Sequence, residues 1–302
     1  MIWSLRGGNL SLDFRSRVRI MGILNVTPDS FYDGGRYDEV GRAVDRALRL
    51  EAEGADIVDI GGESSRPPMY GVAAALSAHA ECRRVIPVIE AIRARSRVPV
   101  SIDTTKAEVA REALAAGADI VNDISALGDP EMAPAAAEAG APVILMHRRG
   151  TPETMQLDTR YDDLLGEIAC FLRSRVDAAT AAGVSRRNLA IDPGLGLDPG
   201  LGFGKSTGGN FTLIGELSRF RSLGCPVVVG ASRKSFLWKP LGLSAGDCLE
   251  PSLAAAALAV ARGANAVRVH DVAASFRAVR TAEAVARSTQ PGALFPESGA
   301  QL

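Results

Sequence analysis

A chain of 302 residues that is 47% hydrophobic and 23% charged carries enough apolar side chains for a large core, which excludes a disordered chain. A formal net charge of −1, with no basic block, excludes tracking along a nucleic-acid backbone or an anionic membrane, so any bound anion has to be held by a local pocket. No apolar stretch reaches the roughly 18 residues needed to span a bilayer, and MIWSLRGGNLSLDF lacks a signal-peptide core, so a cytoplasmic enzyme is expected. Cys82, Cys170, Cys225 and Cys248 are far apart and form no CxxC pair, which predicts reduced, packed thiols.

In chain order, WSLRGG and NLSLDF predict a small hairpin around Gly7-Gly8 within residues 1–18, set against the floor of the following domain. Apolar runs then alternate with helical-period segments over residues 19–287. The runs are 19–25, 57–61, 99–103, 119–124, 142–147, 188–192, 226–231 and 266–270. Near-continuous apolarity suits parallel strands covered on both faces. Helices such as EVGRAVDRALRLEAEGA end in Gly-Ala before the next run, at Gly54, Gly117, Gly140 and Gly263. Eight such units predict one α/β domain, a closed (β/α)8 barrel, and a dinucleotide GxGxxG is missing after the first run. Residues 288–302 lack periodicity and are expected to be a mobile tail.

In such a barrel the carboxyl ends of the strands build the active site. Polar residues interrupt the apolar runs there: Asn25, Asp59, Asp103, Asn122, Asp123, His147, Asp192, Lys234, Arg268 and His270. Any one strand-end Asp is read as a helix cap, but polar groups on several strands at one barrel end converge on a site. Asp103, Asn122 and Asp192 suit a flat heterocycle with adjacent N–H donors and a carbonyl. Arg66, Lys234, Arg268 and His270, with Asn25 and Ser235, suit phosphate or pyrophosphate. A ligand with a pterin-like head and an anionic tail satisfies both sets. His147 reads as packed rather than as a general base, and NVTPDSFYDGGRY, with Phe31 and Tyr32, reads as a lid.

Seven segments in order, MGILNVTPDSFYDGG, GADIVDIGGESSRP, SIDTTKAEVAREALAAGADIVNDISA, MHRRGTP, LDPGLGFGK, VGASRKSF and RVHD, together resemble the dihydropteroate synthases over essentially the whole barrel. The resemblance implies a TIM barrel that joins a pterin pyrophosphate to p-aminobenzoate in folate synthesis, with sulfonamides as mimics of p-aminobenzoate. It implies pterin contacts from Asp103, Asn122, Met146, Asp192, Gly230 and Lys234. It places pyrophosphate at Asn25, Arg66, Arg268 and His270, with Mg2+ near Asn25. It places p-aminobenzoate near Phe31, Ser65, Pro67, Phe203, Lys234 and Ser235, with Asp103, Lys234, Arg268 and His270 carrying catalysis. A homodimer is also implied.

One departure stands out. Asp192-Pro193-Gly194-Leu195-Gly196-Leu197 is followed by Asp198-Pro199-Gly200-Leu201-Gly202-Phe203, as if six residues were duplicated. Asp192 is preferred over Asp198 for the pterin position, because NLAID ends on it and Pro and Gly are poor in a central strand. The insert is expected either to change how the second subsite treats arylamines and sulfonamides or to be a neutral loop expansion. A pterin-binding paralogue without turnover is the alternative that the altered loops leave open.

Overall fold

The computed structural model of the chain describes residues 1–5, 10–26, 36–63, 76–150, 158–196 and 203–288. The apolar runs emerge as eight parallel strands: β3 (Arg19–Asn25), β4 (Ile57–Gly61), β5 (Val100–Asp103), β6 (Ile120–Asp123), β7 (Val143–Met146), β8 (Leu189–Asp192), β9 (Val228–Val229) and β10 (Ala266–Val269). Their order is β8-β7-β6-β5-β4-β3-β10-β9. Ile191 of β8 bridges Val227 in parallel, and its N–H donates to the Pro226 carbonyl at 2.9 Å, which joins the two ends of the sheet. Around it run α1 (Arg36–Ala52), α2 (Ala78–Arg93), α3 (Ala107–Ala115), α4 (Met132–Glu138), α5 (Leu164–Ala181), α6 (Thr207–Gly215), α7 (Ser235–Trp238), α8 (Leu249–Ala261) and α9 (Val272–Ser288).

The seventh run was expected over 226–231, yet β9 holds only Val228 and Val229. Pro226 has no N–H to give the ladder, and the chain leaves the sheet at Gly230 to enter the site. The Gly-Ala returns have a steric reason at Gly54. Its φ is +106°, and a Cβ there would lie 2.5 Å from the Phe276 ring. Among the described residues no single helix is long and apolar enough to cross a membrane. The cysteines are unpaired; Cys225 and Cys248 are buried, but Cys170 is exposed on α5, contrary to the expectation that every thiol is packed.

β1 (Ile2–Leu5) and β2 (Leu10–Asp13) form the antiparallel hairpin, with Ile2 opposite Asp13 and Leu5 opposite Leu10. Its Gly7-Gly8 turn lies outside the described residues. Alternation sends Trp3, Leu5, Leu12 and Phe14 inward, where they pack on Met21, Ile57, Ile120, Ile144, Ala190, Val228 and Ala266 from seven barrel strands. Trp3 is fully buried and meets Phe14 edge to face, with ring centroids 4.7 Å apart. The barrel floor is thus sealed by a second small core. At the same end α9 finishes, where Arg287 Nη2 donates to the Ser16 carbonyl at 2.6 Å. Trp3→Ala is expected to cost about 3–5 kcal/mol of unfolding free energy, read from denaturant midpoints, by leaving a cavity under the barrel.

Candidate active site at the barrel mouth

Strand alternation decides which polar residues enter the barrel. Register pairs Asp59 with Ser101, Gly61 with Asp103, and Asp103 with Asn122, so these side chains share the inner face. Arg268 of β10 crosses the lumen to meet them. Its Nε donates to Asp59 Oδ2 at 2.6 Å and its Nη2 to Asp103 Oδ2 at 2.6 Å, while Asn122 Nδ2 donates to the same Asp59 oxygen at 3.2 Å. Burial works against the charge of Arg268, but Asp59 and Asp103 together outweigh it and raise its pKa. Burial pushes Asp103 up to about 7, with Arg268 opposing and Asp59 adding to the rise. Asp59 Oδ1 is buried with no hydrogen-bond partner among the described residues, an acceptor held ready inside the pocket.

Asp192 closes β8 and is buried. Its Oδ1 accepts the Gly194 N–H at 2.7 Å, and burial raises its pKa with Lys234 opposing. Gly230 forms the wall between this carboxylate and Arg268, since a methyl placed on it would lie 4.0 Å from Asp192 Oδ2 and 3.8 Å from Arg268 Cβ. Lys234, the residue before α7, turns its amine inward to the Leu195 carbonyl and over the Phe203 ring, 5.0 Å from the centroid. Burial lowers this amine to about 8, so it gives up its proton more readily than an exposed lysine. Met146, Phe203 and Ile124 form an apolar cluster of their own beside these groups.

His270 sits just past β10, with both its N–H and its Nδ1 at the Ser232 hydroxyl, at 3.1 and 3.0 Å. Burial lowers it to about 4, with Arg268 adding to the fall, so it is neutral at pH 7. Ser235 begins α7 and is buried. Asn25 ends β3 exposed at the mouth, and Gly61 separates it from Asp103: a methyl on Gly61 would lie 3.9 Å from Asn25 Oδ1 and 3.8 Å from Asp103 Oδ2.

Asp103, Asn122 and Arg268 are therefore linked through side chains by way of Asp59. Asp192 and Lys234 lie beside them across Gly230 and Leu195, and Met146, Phe203, Ser235, His270 and Asn25 complete the surroundings. Asp123 is not part of the set. It follows Asn122 and so faces outward, where it accepts from the Ser125 N–H and hydroxyl and the Leu127 N–H as a local cap. His147, next to Met146, also faces outward, edge to face on Phe171 at 4.8 Å, and burial lowers it to about 2, as a packed residue should behave. Phe31, Ser65, Arg66, Pro67, Asp198, the lid and the tail beyond Ser288 lie outside the described residues. Two buried ionisable residues at the site had no assigned role from sequence. Asp59 is detectable as an acidic interruption of IVDIG, and Lys205 ends LDPGLGFGK, one of the segments that carry the resemblance, whose lack of period gives no hint of where its side chain goes.

The pattern of the family described as pterin binding enzyme matches residues 21–270. The dihydropteroate synthase of Escherichia coli strain K12 is 44% identical over 274 residues, which is 91% of this chain and 93% of that one. Among solved structures, the Xanthomonas albilineans dihydropteroate synthase with 4-aminobenzoic acid is 45% identical, with a TM-score of 0.83 over 94% of this chain and 97% of that one. The Yersinia pestis dihydropteroate synthase, in a sulfonamide drug complex, is 41% identical, with a TM-score of 0.85 over 94% and 99%. Eight parallel strands in this order, a lumen lined by paired carboxylates, arginine and lysine, and identities above 40% over nine-tenths of the chain place it among the pterin-binding enzymes, in the dihydropteroate synthase family.

Proposed function

We propose that the barrel mouth binds 6-hydroxymethyl-7,8-dihydropterin pyrophosphate in the lumen and p-aminobenzoate beside it. Membership of the family makes the chain a transferase of folate biosynthesis that condenses these two into 7,8-dihydropteroate and pyrophosphate. The observation that carries the residue assignment is the Arg268 guanidinium clamped between two buried carboxylates, one of which keeps a free oxygen. In this reading Asp103, Asn122 and Asp192 receive the pterin's amine and ring N–H groups, joined by Asp59, with Met146, Gly230 and Lys234 completing the pocket.

The bond from the methylene carbon to the pyrophosphate oxygen breaks, and its electron pair leaves with the pyrophosphate. Arg268, with Arg66 and neutral His270 as further donors, meets the charge that grows there. The arylamine nitrogen forms the new bond to carbon and gives up one proton. Positive charge on the pterin faces Asp103 and Asp192. Phe203, Lys234 and Ser235, with Phe31, Ser65 and Pro67, are assigned to p-aminobenzoate. The Xanthomonas relative solved with that acid supports the substrate, and the Yersinia complex supports sulfonamides as its competitors.

Mg2+ fits the donors at the mouth. No group of three or more His, Cys, Asp or Glu side chains able to hold a metal occurs among the described residues, but Mg2+ needs only one or two protein oxygens, usually carboxylates, when substrate phosphates and water supply the rest. Asn25 supplies such an oxygen, and the ion would neutralise charge on the pyrophosphate. A cytoplasmic location and a homodimer complete the proposal, with exposed Leu258 on α8 and Val285 on α9 as apolar surface for the second copy.

The test supplies both substrates and Mg2+ and follows pyrophosphate and dihydropteroate together. Equal rates are expected. Pyrophosphate alone would exclude the assigned arylamine subsite, and neither product would exclude the assignment as a whole. Deleting Pro193 through Asp198 is expected to change KM for p-aminobenzoate and Ki for a sulfonamide; unchanged values would make the insert neutral.

A further inference from the structure

Lys205 has no place in the ligand contacts assigned above, yet it is only 2% exposed. Its amine lies 2.8 Å from His147 Nδ1 and donates to the Phe203 carbonyl at 3.1 Å and the His147 carbonyl at 3.4 Å. A lysine amine that donates to Nδ1 leaves the ring proton of His147 on Nε2. Burial pushes the Lys205 pKa well below its usual value, with Asp192 opposing, but the amine is a donor with or without its extra proton.

The receiving carbonyl belongs to a strained residue. Phe203 has φ +44°, in the left-handed region that a phenylalanine rarely occupies, so its conformation has to be held by its surroundings. Two donors grip its carbonyl, Lys205 Nζ and the Arg149 N–H at 3.2 Å. On the other edge the His147 N–H donates to the Asp192 carbonyl at 2.9 Å. One short stretch of backbone, His147 to Arg149, therefore holds both the residue where the duplicated segment departs and the residue where it returns.

We infer that Lys205 is a positioning residue for the arylamine subsite: by tying His147 to the Phe203 carbonyl it fixes the Phe203 ring beneath Lys234, whatever the length of the segment between Asp192 and Phe203. The inference rests on the assignment of Phe203 to p-aminobenzoate. It explains how a six-residue duplication is accommodated beside a binding site, because both edges are pinned to a neighbouring strand end.

The test is a double-mutant cycle with Lys205→Met and Phe203→Ala, measuring kcat and KM for each substrate in the full-length protein. K205M is expected to raise KM for p-aminobenzoate about tenfold, the scale of a displaced contact group. KM for the pterin pyrophosphate should stay within about twofold, and K205M should add less than about twofold in the F203A background. K205Q, whose shorter side chain falls short of the same acceptors, should give the same rise and serves if K205M does not fold. Equal effects on both substrates, or full additivity with F203A, would reduce Lys205 to a general structural role and overturn the inference. A raised KM in F203A but not in K205M overturns it alone. An unchanged KM in F203A overturns the subsite assignment and the inference with it.

Discussion

Arg268→Ala is expected to lower kcat/KM for the pterin pyrophosphate by about a thousandfold, the scale seen when a preorganised donor to a developing oxyanion is removed. The guanidinium now satisfies Asp59 and Asp103 with one 2.6 Å contact each. Without it two buried carboxylates face one another across the lumen, and a shared proton is the cheapest way to relieve them. Asp103, already at about 7 by burial, rises further and presents a protonated oxygen to the pterin's N–H groups. The folded variant then binds a proton that the unfolded chain, with an aspartate pKa of about 4, does not. Its stability therefore falls as pH rises from the unfolded pKa through the raised folded one. Urea midpoints should be lower at alkaline pH than near pH 6, with a steeper dependence than wild type. Arg268→Lys should not rescue activity, because an ammonium lacks the planar fork that reaches both carboxylates. Wild-type kcat/KM in R268A would remove this arginine from the chemistry.

Gly194→Ala is the second large effect. Gly194 has φ +71°, and a Cβ there would lie 1.9 Å from the His147 carbonyl oxygen, a contact no rotamer relieves. The left-handed conformation alone costs an alanine about 1–2 kcal/mol, and the backbone has to move besides, so a loss of about 3 kcal/mol is expected in chemical denaturation. Function should fall further than stability. The Gly194 N–H holds the Asp192 carboxylate at 2.7 Å, and the next residue, Leu195, supplies the carbonyl that receives Lys234. Shifting this turn displaces groups on both sides of the pterin pocket, and a fall of about a hundredfold in kcat/KM is expected. Gly208→Ala is the control. Gly208 lies in α6 with open space at its Cβ position, and alanine there should be neutral or stabilising by about 0.5–1 kcal/mol. A G194A variant with native stability would mean that the turn yields freely.

Much of this site was legible as interruption. Asp103, Asn122, Asp192 and Arg268 break apolar runs whose length already fixed them as strands, so their approximate height in the barrel followed from the sequence. What sequence position does not state is which way a side chain points. Asn122 and Asp123 are adjacent and both polar, but one faces the lumen and the other caps its own loop. The parity becomes visible only when a run is aligned with its neighbour, as Asp103 is with Asn122. Asp59 was visible as a polar residue but not as a partner, because its contact to Arg268 spans 209 positions. Lys205 stands in the quoted LDPGLGFGK, but its contacts were hidden for a different reason. Its acceptors are mostly backbone carbonyls, which every residue has, so no residue type signals them. The apolar floor, by contrast, was readable from the alternation of WSL and LSLDF.

The sealed floor gathers the described chain ends on one side. β1 begins there, and Arg287 in the last turn of α9 hydrogen-bonds the Ser16 carbonyl between the hairpin and β3. Substrates are proposed to enter at the opposite end. A group attached at Met1 or at Ser288 therefore departs on the side away from the mouth. The same arrangement lets the barrel be held at both of these points at once, with its entrance facing outward.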